Sequence, residues 1–208
     1  MPEDDVERDC EVDMKRLALS PGLAAAAMFL AVLVFGATCA DIEKFYWIDE
    51  RIATGGQPKS DEFASLKREG FRTVINLREP TEYDAAAEAA EIRRLGLRYI
   101  SIPVRTADPK DDQADAFLAA LADQKIQPLF VHCGSGNRVG AFWMIARVLV
   151  DGWTIEDAER EARMVGLKSP NLREFAYEYI CRHQKAESPA VPCAKRPSGS
   201  EDRPSRTD

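Results

Sequence analysis

The sequence predicts an α/β domain with a mostly parallel sheet that is flanked by helices on both faces. Short apolar runs rich in β-branched residues alternate with longer helical segments from about residue 46 to residue 182. Such alternation is typical of parallel strands joined by crossover helices. In sheets of this kind a ligand binds beyond the carboxyl ends of the strands. The residues that follow each predicted strand are therefore the first candidates for a functional site.

Each element is assigned from its pattern and its end signals. Residues 46–48 and 51–53 predict a short strand or hairpin closed by Gly55 and Gly56. Compact apolar runs predict strands at residues 73–77, 98–103 and 129–132. N-cap residues and glycine stops predict helices at residues 60–70, 83–95, 114–124, 139–149, 155–165 and 169–182.

Composition excludes several classes of function. The chain of 208 residues has a formal net charge of −7 and a pI of about 5.1, which argues against a nucleic-acid partner. It has five cysteines without paired C-x-x-C spacing and only two histidines, so we expect no structural zinc site. Nothing in the sequence calls for another metal or for a cofactor.

The first 40 residues have the parts of an export signal. Lys15 and Arg16 precede an uncharged apolar run at residues 23–36, and small residues follow at positions 37–40. We expect cleavage after Ala40 and an exported protein in the periplasm or outside the cell. An uncleaved membrane anchor is the alternative, since the run is near the lower limit for a span. It would be the protein's only contact with a membrane.

The two ends of the chain differ from its middle in amino-acid composition. Residues 1–13 are acidic, the wrong charge for the start of an export signal, so we expect translation to begin at Met14. Residues 184–208 are rich in proline, serine and charge, which predicts a disordered tail. The folded domain is therefore expected to cover residues 41–183.

The loop after the strand at residues 129–132 carries the most specific chemistry. Its sequence is VHCGSGNRVGAFW, from Val131 to Trp143. A thiolate is the reactive form of cysteine, and a helix N-terminus or a nearby cation stabilises it. Backbone N–H groups at Gly134, Ser135, Gly136, Asn137 and Arg138 can converge on one anion, because the glycines relax the backbone. Arg138 adds a planar fork that matches a tetrahedral oxyanion.

The loop therefore predicts an anion site with Cys133 as its nucleophile. The alternative for Cys133 is a structural cysteine buried in a glycine-rich turn. We expect His132 to pack beneath the loop, where its N–H either tunes the thiolate or is satisfied within the core.

Several motifs in the right order resemble the cysteine-dependent protein tyrosine and dual-specificity phosphatases, in particular their bacterial phosphatase-like members. They are residues 52–58 (IATGGQP), residues 70–78 (GFRTVINLR), residues 102–104 (IPV) and the loop from His132 to Trp143. The resemblance covers about residues 46–180. It implies a cysteine-phosphatase fold and a hydrolase that cleaves a phosphorylated protein or a small phosphomonoester through a phosphocysteine.

Two departures from the common phosphatase pattern keep other functions open. Four residues, not five, separate Cys133 from Arg138, and Val139 stands where the family usually has serine or threonine. The four-residue spacing is similar to that of rhodanese-like sulfurtransferases, which form a cysteine persulfide. Their Gly-His-Ile-Pro-Gly stretch is missing here. A non-catalytic anion-binding module is the third interpretation.

The phosphatase resemblance also implies a general acid on a loop before the cysteine. Asp108 is the first choice and the other candidates are Asp111 and Asp112, although Asp108-Pro109 also suits a helix N-terminus. Glu79 and Glu82 follow the strand at residues 73–77 and are expected to line the pocket with Arg78 if they are not the acid.

The remaining cysteines predict a disulfide. Cleavage after Ala40 would leave Cys133, Cys181 and Cys193 in the mature chain. A bridge between Cys181 and Cys193 closes a short loop at small entropic cost and leaves Cys133 free to react. The alternative is that Cys181 is buried and unpaired.

Overall fold

A computed structural model describes residues 41–184, and these residues adopt the predicted α/β architecture. The predicted export segment and all but the first residue of the predicted tail lie outside the described residues. None of the helices within residues 41–184 has the length and hydropathy of a membrane span.

The sheet contains five strands and packs against six helices. The strands are β1 (Tyr46–Trp47), β2 (Ile52–Gly55), β3 (Thr73–Asn76), β4 (Arg98–Ser101) and β5 (Leu129–His132). The helices are α1 (Ser60–Arg68), α2 (Ala85–Arg94), α3 (Asp111–Ala122), α4 (Asn137–Leu149), α5 (Ile155–Val165) and α6 (Pro170–His183). Short 3-10 turns cover Pro80–Glu82 and Gln124–Ile126.

The strand that precedes Cys133 lies at the centre of the sheet. The strand order is β1-β2-β5-β3-β4, and β1 is antiparallel to β2, whereas the other pairs are parallel. Val131 of β5 is opposite Thr54 on one side and Ile75 on the other. Because β2, β3 and β5 run in the same direction, their carboxyl ends meet at one edge, which the sequence predicted to be the functional edge.

Alternating side chains on the strands build a core on each face of the sheet. Phe130 packs in one core with Phe63 of α1 and Ile92 of α2. Leu129 and Val131 point to the opposite face, whose core contains buried side chains of α3, α4, α5 and α6. Helices on both faces are thus confirmed, and they explain why β5 is buried at all four positions.

The predicted boundaries differ from the observed ones where side chains cap the helices. Helix α1 begins at Ser60 itself, with Lys59 as N-cap, because the carboxylate of Glu62 accepts the Lys59 N–H at 2.6 Å. Helix α3 begins three residues before the prediction, where Gln113 accepts the Lys110 N–H at 2.9 Å. Strand β5 matches its prediction, residue for residue.

Close packing of α4 against α5 fixes the position of the loop after β5. A Cβ on Gly140 would lie 2.5 Å from the Ala162 carbonyl oxygen, and one on Gly136 would lie 2.3 Å from the Val165 carbonyl oxygen. Gly136 also has a φ of +78°, which L side chains rarely adopt. Only glycine therefore allows the start of α4 to approach the end of α5 this closely.

The two cysteines within residues 41–184 differ in whether they form a disulfide. Cys133 is free and buried, whereas Cys181 is disulfide-bonded. The alternative of an unpaired Cys181 is therefore wrong. The pairing with Cys193 stays a prediction, because Cys193 lies outside the described residues.

Candidate active site

Cys133 lies where the sequence placed it, directly after the central strand and before the helix. It is 1% exposed and follows β5, and α4 begins four residues later at Asn137. A nucleophile in this position has the N-terminus of a helix of 13 residues ahead of it, which favours an anion there.

The loop is held in place from both sides. On one side, the Gln57 N–H donates to the Gly134 carbonyl at 3.2 Å, and Gly56 forms an isolated bridge with Ser135. On the other side, a Cβ on Gly166 would lie 2.9 Å from the Ser135 carbonyl oxygen. The residues after β2 and after α5 therefore define the shape of the loop, although both are distant from it in sequence.

Asn137 is one of the predicted phosphate-binding residues, but its side chain has a structural role. Its Oδ1 accepts the N–H groups of Lys168 at 2.8 Å and Ser169 at 3.1 Å, which ties the start of α4 to the connection between α5 and α6. Any contribution of Asn137 to an anion would come from its backbone N–H. The side chain of Ser135 is exposed.

The guanidinium of Arg138 is buried and has fixed protein partners. Nη1 donates to Glu82 Oε1 and to the Val104 carbonyl at 3.0 Å, and Nη2 donates to Glu82 Oε2 at 2.8 Å. A guanidinium has five N–H groups, so these bonds leave one N–H on Nη2 and the N–H on Nε. The two remaining groups are parallel and form a side-on fork, an arrangement that can donate to two oxygens of a tetrahedral oxyanion.

Arg138 folds back toward the cysteine despite the short loop. A Cβ on Gly134 would lie only 3.6 Å from Arg138 Nη2, so the guanidinium lies over the loop. Burial lowers the pKa of Arg138, but the hydrogen bond to Glu82 and the charges of Cys133 and Glu82 outweigh it and raise that pKa. The four-residue spacing thus still brings the cation beside the sulfur.

Glu82 is the carboxylate that the structure adds to the site. It lies at the end of a 3-10 turn after β3, and its hydrogen bond to Arg138 is the largest cause that lowers its pKa to about 2. Glu82 is therefore ionised at neutral pH and holds the end of the Arg138 guanidinium. The sequence offered it only as a pocket-lining candidate, with no signal for its partner.

Val139 packs in the core and has no hydroxyl to offer the site. It is 0% exposed and lies among the buried residues on the α4 side of the sheet. The position that usually carries serine or threonine in the phosphatases that the sequence resembles is thus apolar here, so residue 139 offers no hydroxyl to an anion in the loop.

His132 is fully buried, and its contacts are mainly with aromatic rings. Its ring stacks on Phe130, with centroids 5.9 Å apart, and neither ring nitrogen has a partner in good hydrogen-bond geometry among the described residues. Glu88 Oε1 is 3.9 Å from Nε2, beyond hydrogen-bond range. Burial is the main cause that lowers the pKa of His132 to about 3, so the ring is neutral. An interaction with the Cys133 backbone opposes the effect of burial on this pKa, and a role of His132 in tuning the thiolate stays a prediction.

A polar network lies at the same edge of the sheet. Glu88 accepts hydrogen bonds from Gln57 at 2.7 Å and from Asn76 at 2.6 Å. Arg78 donates to Gln57 at 2.6 Å and lies 4.5 Å from the centre of the Tyr83 ring. Arg78 is therefore a partly buried structural residue that supports the Glu82 turn, with Nη2 donating to the Glu82 carbonyl at 2.5 Å.

Asp108 lies on the connection between β4 and α3 and is exposed. Its carboxylate pairs with Lys110 at 2.5 Å, and no contact joins it to Cys133 or Arg138 among the described residues. Asp111 pairs with Arg182 at 2.7 Å. The same connection does reach the site earlier, because the Val104 carbonyl accepts from Arg138. Within residues 41–184, no group of His, Cys, Asp or Glu side chains has the arrangement of a metal site.

Comparison with protein families gives a match over most of the chain. Residues 36–179 match the model of a family described as "DSP-PTPase phosphatase fused to NAD+ Kinase". The chain is 39% identical over 109 residues to a beta-lactamase hydrolase-like protein of Xylella fastidiosa, covering 50% of this chain and 25% of the relative. A protein of the same name from Agrobacterium fabrum is 32% identical over 108 residues, covering 49% and 24%. The chain thus spans about a quarter of the length of these relatives.

Solved structures show the same fold at low sequence identity. A DUF442 protein of Shewanella putrefaciens is 24% identical, with a TM-score of 0.60 and coverage of 69% of this chain and 95% of that one. TpbA of Pseudomonas aeruginosa is 22% identical, with a TM-score of 0.54 and coverage of 67% and 84%. Tk-PTP in its active form is 20% identical, with a TM-score of 0.60 and coverage of 67% and 97%. At these identities the likeness supports the fold alone.

The buried neutral His132 predicts a loss of stability in acid. An unfolded chain takes up a proton on this histidine below about pH 6.5, whereas the folded chain does so only near the lowered pKa of about 3. Stability therefore falls as the pH drops from about 6.5 toward 3, by up to about 1.4 kcal/mol per pH unit from this group. Glu82, with its pKa lowered to about 2, adds to the slope below about pH 4.5.

Urea unfolding between pH 7 and pH 4 measures this slope. We expect His132→Phe, which suits the aromatic surroundings and cannot titrate, to give a shallower pH dependence than the wild type. An unchanged slope in that variant would contradict a neutral buried His132.

Proposed function

The chain belongs to the family of dual-specificity phosphatases fused to an NAD+ kinase, and we propose that Cys133 and Arg138 carry its phosphatase chemistry. The family makes it a hydrolase of the cysteine-phosphatase type that acts on phosphorylated substrates. The observation that carries the assignment of residues is the free fork of Arg138 beside a buried free cysteine. The proposed substrate is a phosphorylated protein or a small phosphomonoester.

In the proposed first step, the Cys133 thiolate attacks phosphorus. The S–P bond forms as the P–O bond to the leaving group breaks, and the leaving oxygen takes a proton from the general acid. Nε and Nη2 of Arg138 hold two phosphoryl oxygens, and backbone N–H groups at the start of α4 face the third. In the second step, water attacks phosphorus, the S–P bond breaks, and phosphate leaves with the thiolate restored.

Asp108 is the proposed acid, although it pairs with Lys110 in the free protein. Its support is its place on the connection between β4 and α3, in which the Val104 carbonyl already contacts Arg138. Glu82 is a poorer donor of a proton, because Arg138 holds its pKa at about 2. In this proposal Glu82 orients the fork and Asp108 supplies the proton.

Export is proposed as well. The apolar run at residues 23–36 and the small residues that follow it support a signal segment. The disulfide at Cys181 also supports an oxidising compartment, where such bonds persist. A free Cys133 is compatible with that compartment because it is buried.

The proposed roles of Cys133 as nucleophile and of Arg138 as phosphate-binding residue are tested with an aryl phosphate as substrate. We expect Cys133→Ser and Arg138→Lys each to abolish phosphate release, because lysine keeps the charge but loses the fork. A parallel assay with thiosulfate and cyanide tests sulfur transfer. Thiocyanate formation without phosphate release would replace the phosphatase proposal with a sulfurtransferase, and neither product would indicate an anion-binding module.

The role of Asp108 is tested by the leaving group. Asp108→Asn removes the proton donor, so turnover should lose its acid–base dependence and slow most for substrates with poor leaving groups. The measurement is kcat for a series of aryl phosphates that differ in the acidity of the phenol. Equal slowing across the series would move the role to Asp111, Asp112 or water.

The role of Glu82 is tested against its neighbour Glu79. Glu82→Gln loses the charge that holds the Arg138 guanidinium, and the misaligned fork should lower kcat/KM by up to about a hundredfold. Glu79→Gln is the matched control, because Glu79 lies in the same turn but pairs with the exposed Arg105 at 3.2 Å. Equal losses in the two variants would show that Glu82 has no special role in positioning Arg138.

A further inference from the structure

Glu88 of α2 carries a buried carboxylate to which the proposed mechanism gives no part. Its side chain is 8% exposed, and none of the arginines and lysines within residues 41–184 forms an ion pair with it. Neutral groups satisfy the charge instead: the carboxylate accepts hydrogen bonds from Gln57 Nε2 at 2.7 Å, Asn76 Nδ2 at 2.6 Å and the Tyr99 hydroxyl at 3.2 Å. Burial of a charge without a counterion costs free energy, so a carboxylate at this position needs a physical reason.

The charge of Glu88 fixes the orientation of two amide side chains. A carboxylate can only accept hydrogen bonds, so Gln57 and Asn76 must each turn the NH₂ group toward Glu88 and the carbonyl oxygen away from it. Both oxygens then face Arg78: Gln57 Oε1 accepts from Arg78 Nη1 at 2.6 Å, and Asn76 Oδ1 accepts from the Arg78 backbone N–H at 2.7 Å. A neutral amide at position 88 has both a donor and an acceptor, and it would dictate neither orientation.

Arg78 extends this set of contacts to the proposed phosphate-binding arginine. Its Nη2 donates to the Glu82 carbonyl at 2.5 Å, and its Nε lies 3.6 Å from Glu82 Oε2. The Glu82 carboxylate in turn accepts two hydrogen bonds from Arg138. The sign of the charge thus alternates along the path from Glu88 to the Arg138 fork, and each charged group attracts the next.

We propose that Glu88 is a positioning residue for phosphoryl transfer. By orienting two amides it places Arg78, and through the Glu82 turn it sets the plane of the Arg138 fork. The proposal rests on the proposed function, because the fork matters only if Arg138 binds the phosphoryl group. A purely structural Glu88 would affect the stability of the fold and not the turnover of the folded protein.

Glu88→Gln keeps the shape of the side chain and removes its charge. We expect kcat/KM for an aryl phosphate to fall by about tenfold, the effect of one hydrogen bond to a charged group. Glu91→Gln is the matched control: Glu91 lies three residues later in α2 and pairs with the exposed Arg94 at 2.7 Å, so this substitution should leave kcat/KM unchanged. Equal effects of the two substitutions would overturn the proposal.

Exchange of the two polar groups tests whether charge orients the amides. In the double variant Gln57→Glu with Glu88→Gln, the new carboxylate accepts from Arg78 and from the new amide, whose oxygen accepts from Asn76. Every group again has a partner, so we expect kcat/KM to recover most of the loss. Recovery stays incomplete, because the Gln57 bond to the Pro58 carbonyl at 3.1 Å is lost. A double variant no more active than Glu88→Gln alone would contradict the proposed orientation of the amides.

A double-mutant cycle with Glu82 tests the path to the fork. If Glu88 acts through Glu82, Glu88→Gln should cause little further loss in a protein that already carries Glu82→Gln. Losses that multiply in the double variant would overturn this path. Urea unfolding shows whether each variant is folded under the assay conditions. If Glu88→Gln does not fold, Gln57→Met takes its place in the cycle, because it breaks the same path outside the helices and strands.

Binding without turnover separates this proposal from the proposed function. In the full chain with Cys133→Ser, calorimetry with phenyl phosphate measures the anion site alone. We expect Glu88→Gln to weaken this binding by about tenfold and Glu91→Gln to leave it unchanged. Such weakening, in a protein whose wild-type form hydrolyses no aryl phosphate, supports the role of Glu88 and counts against Cys133 as a nucleophile. Hydrolysis that Glu88→Gln leaves unchanged retains the phosphatase function and overturns the role of Glu88.

Discussion

The buried guanidinium of Arg138 is the group on which the geometry of the site depends. A charge that is removed from water is stable only if its hydrogen-bond donors have partners. Glu82 and the Val104 carbonyl satisfy three of its N–H groups and come from two connections on the same side of the sheet. These partners fix the plane of the guanidinium and leave the correct pair of donors free. The turn after β3 and the start of the connection after β4 are therefore parts of the site.

Other segments of the chain compensate for the shortness of the loop. With four residues between Cys133 and Arg138, helix α4 starts early and the arginine lies in its first turn. Gly136 and Gly140 allow α5 to lie against this turn, and the Asn137 side chain anchors the connection to α6. Helix α5 and the residues after it therefore shape the loop, although they are distant from it in sequence.

Sequence patterns predicted the fold and the central loop well because both depend on local signals. The run at Leu129–His132, the glycines and Arg138 each have a distinct periodicity or side-chain chemistry, and the observed β5 has the predicted bounds. The partner of Arg138 could not be predicted in this way. Glu82 is 56 residues away in sequence, and nothing distinguishes it there from Glu79. The role of Asn137 was also missed, because a side-chain contact with Lys168 depends on how two helices pack.

The position of β5 in the middle of the sheet has a consequence for the way in which the chain acquires activity. Its two partner strands, β2 and β3, both lie far earlier in the chain, so the central pairing has a high contact order and a large loop-closure entropy. The loop that carries Cys133 and Arg138 therefore takes its shape only after distant segments have come together. Partly folded chains in which β5 has not yet paired with β2 and β3 should therefore lack the anion site.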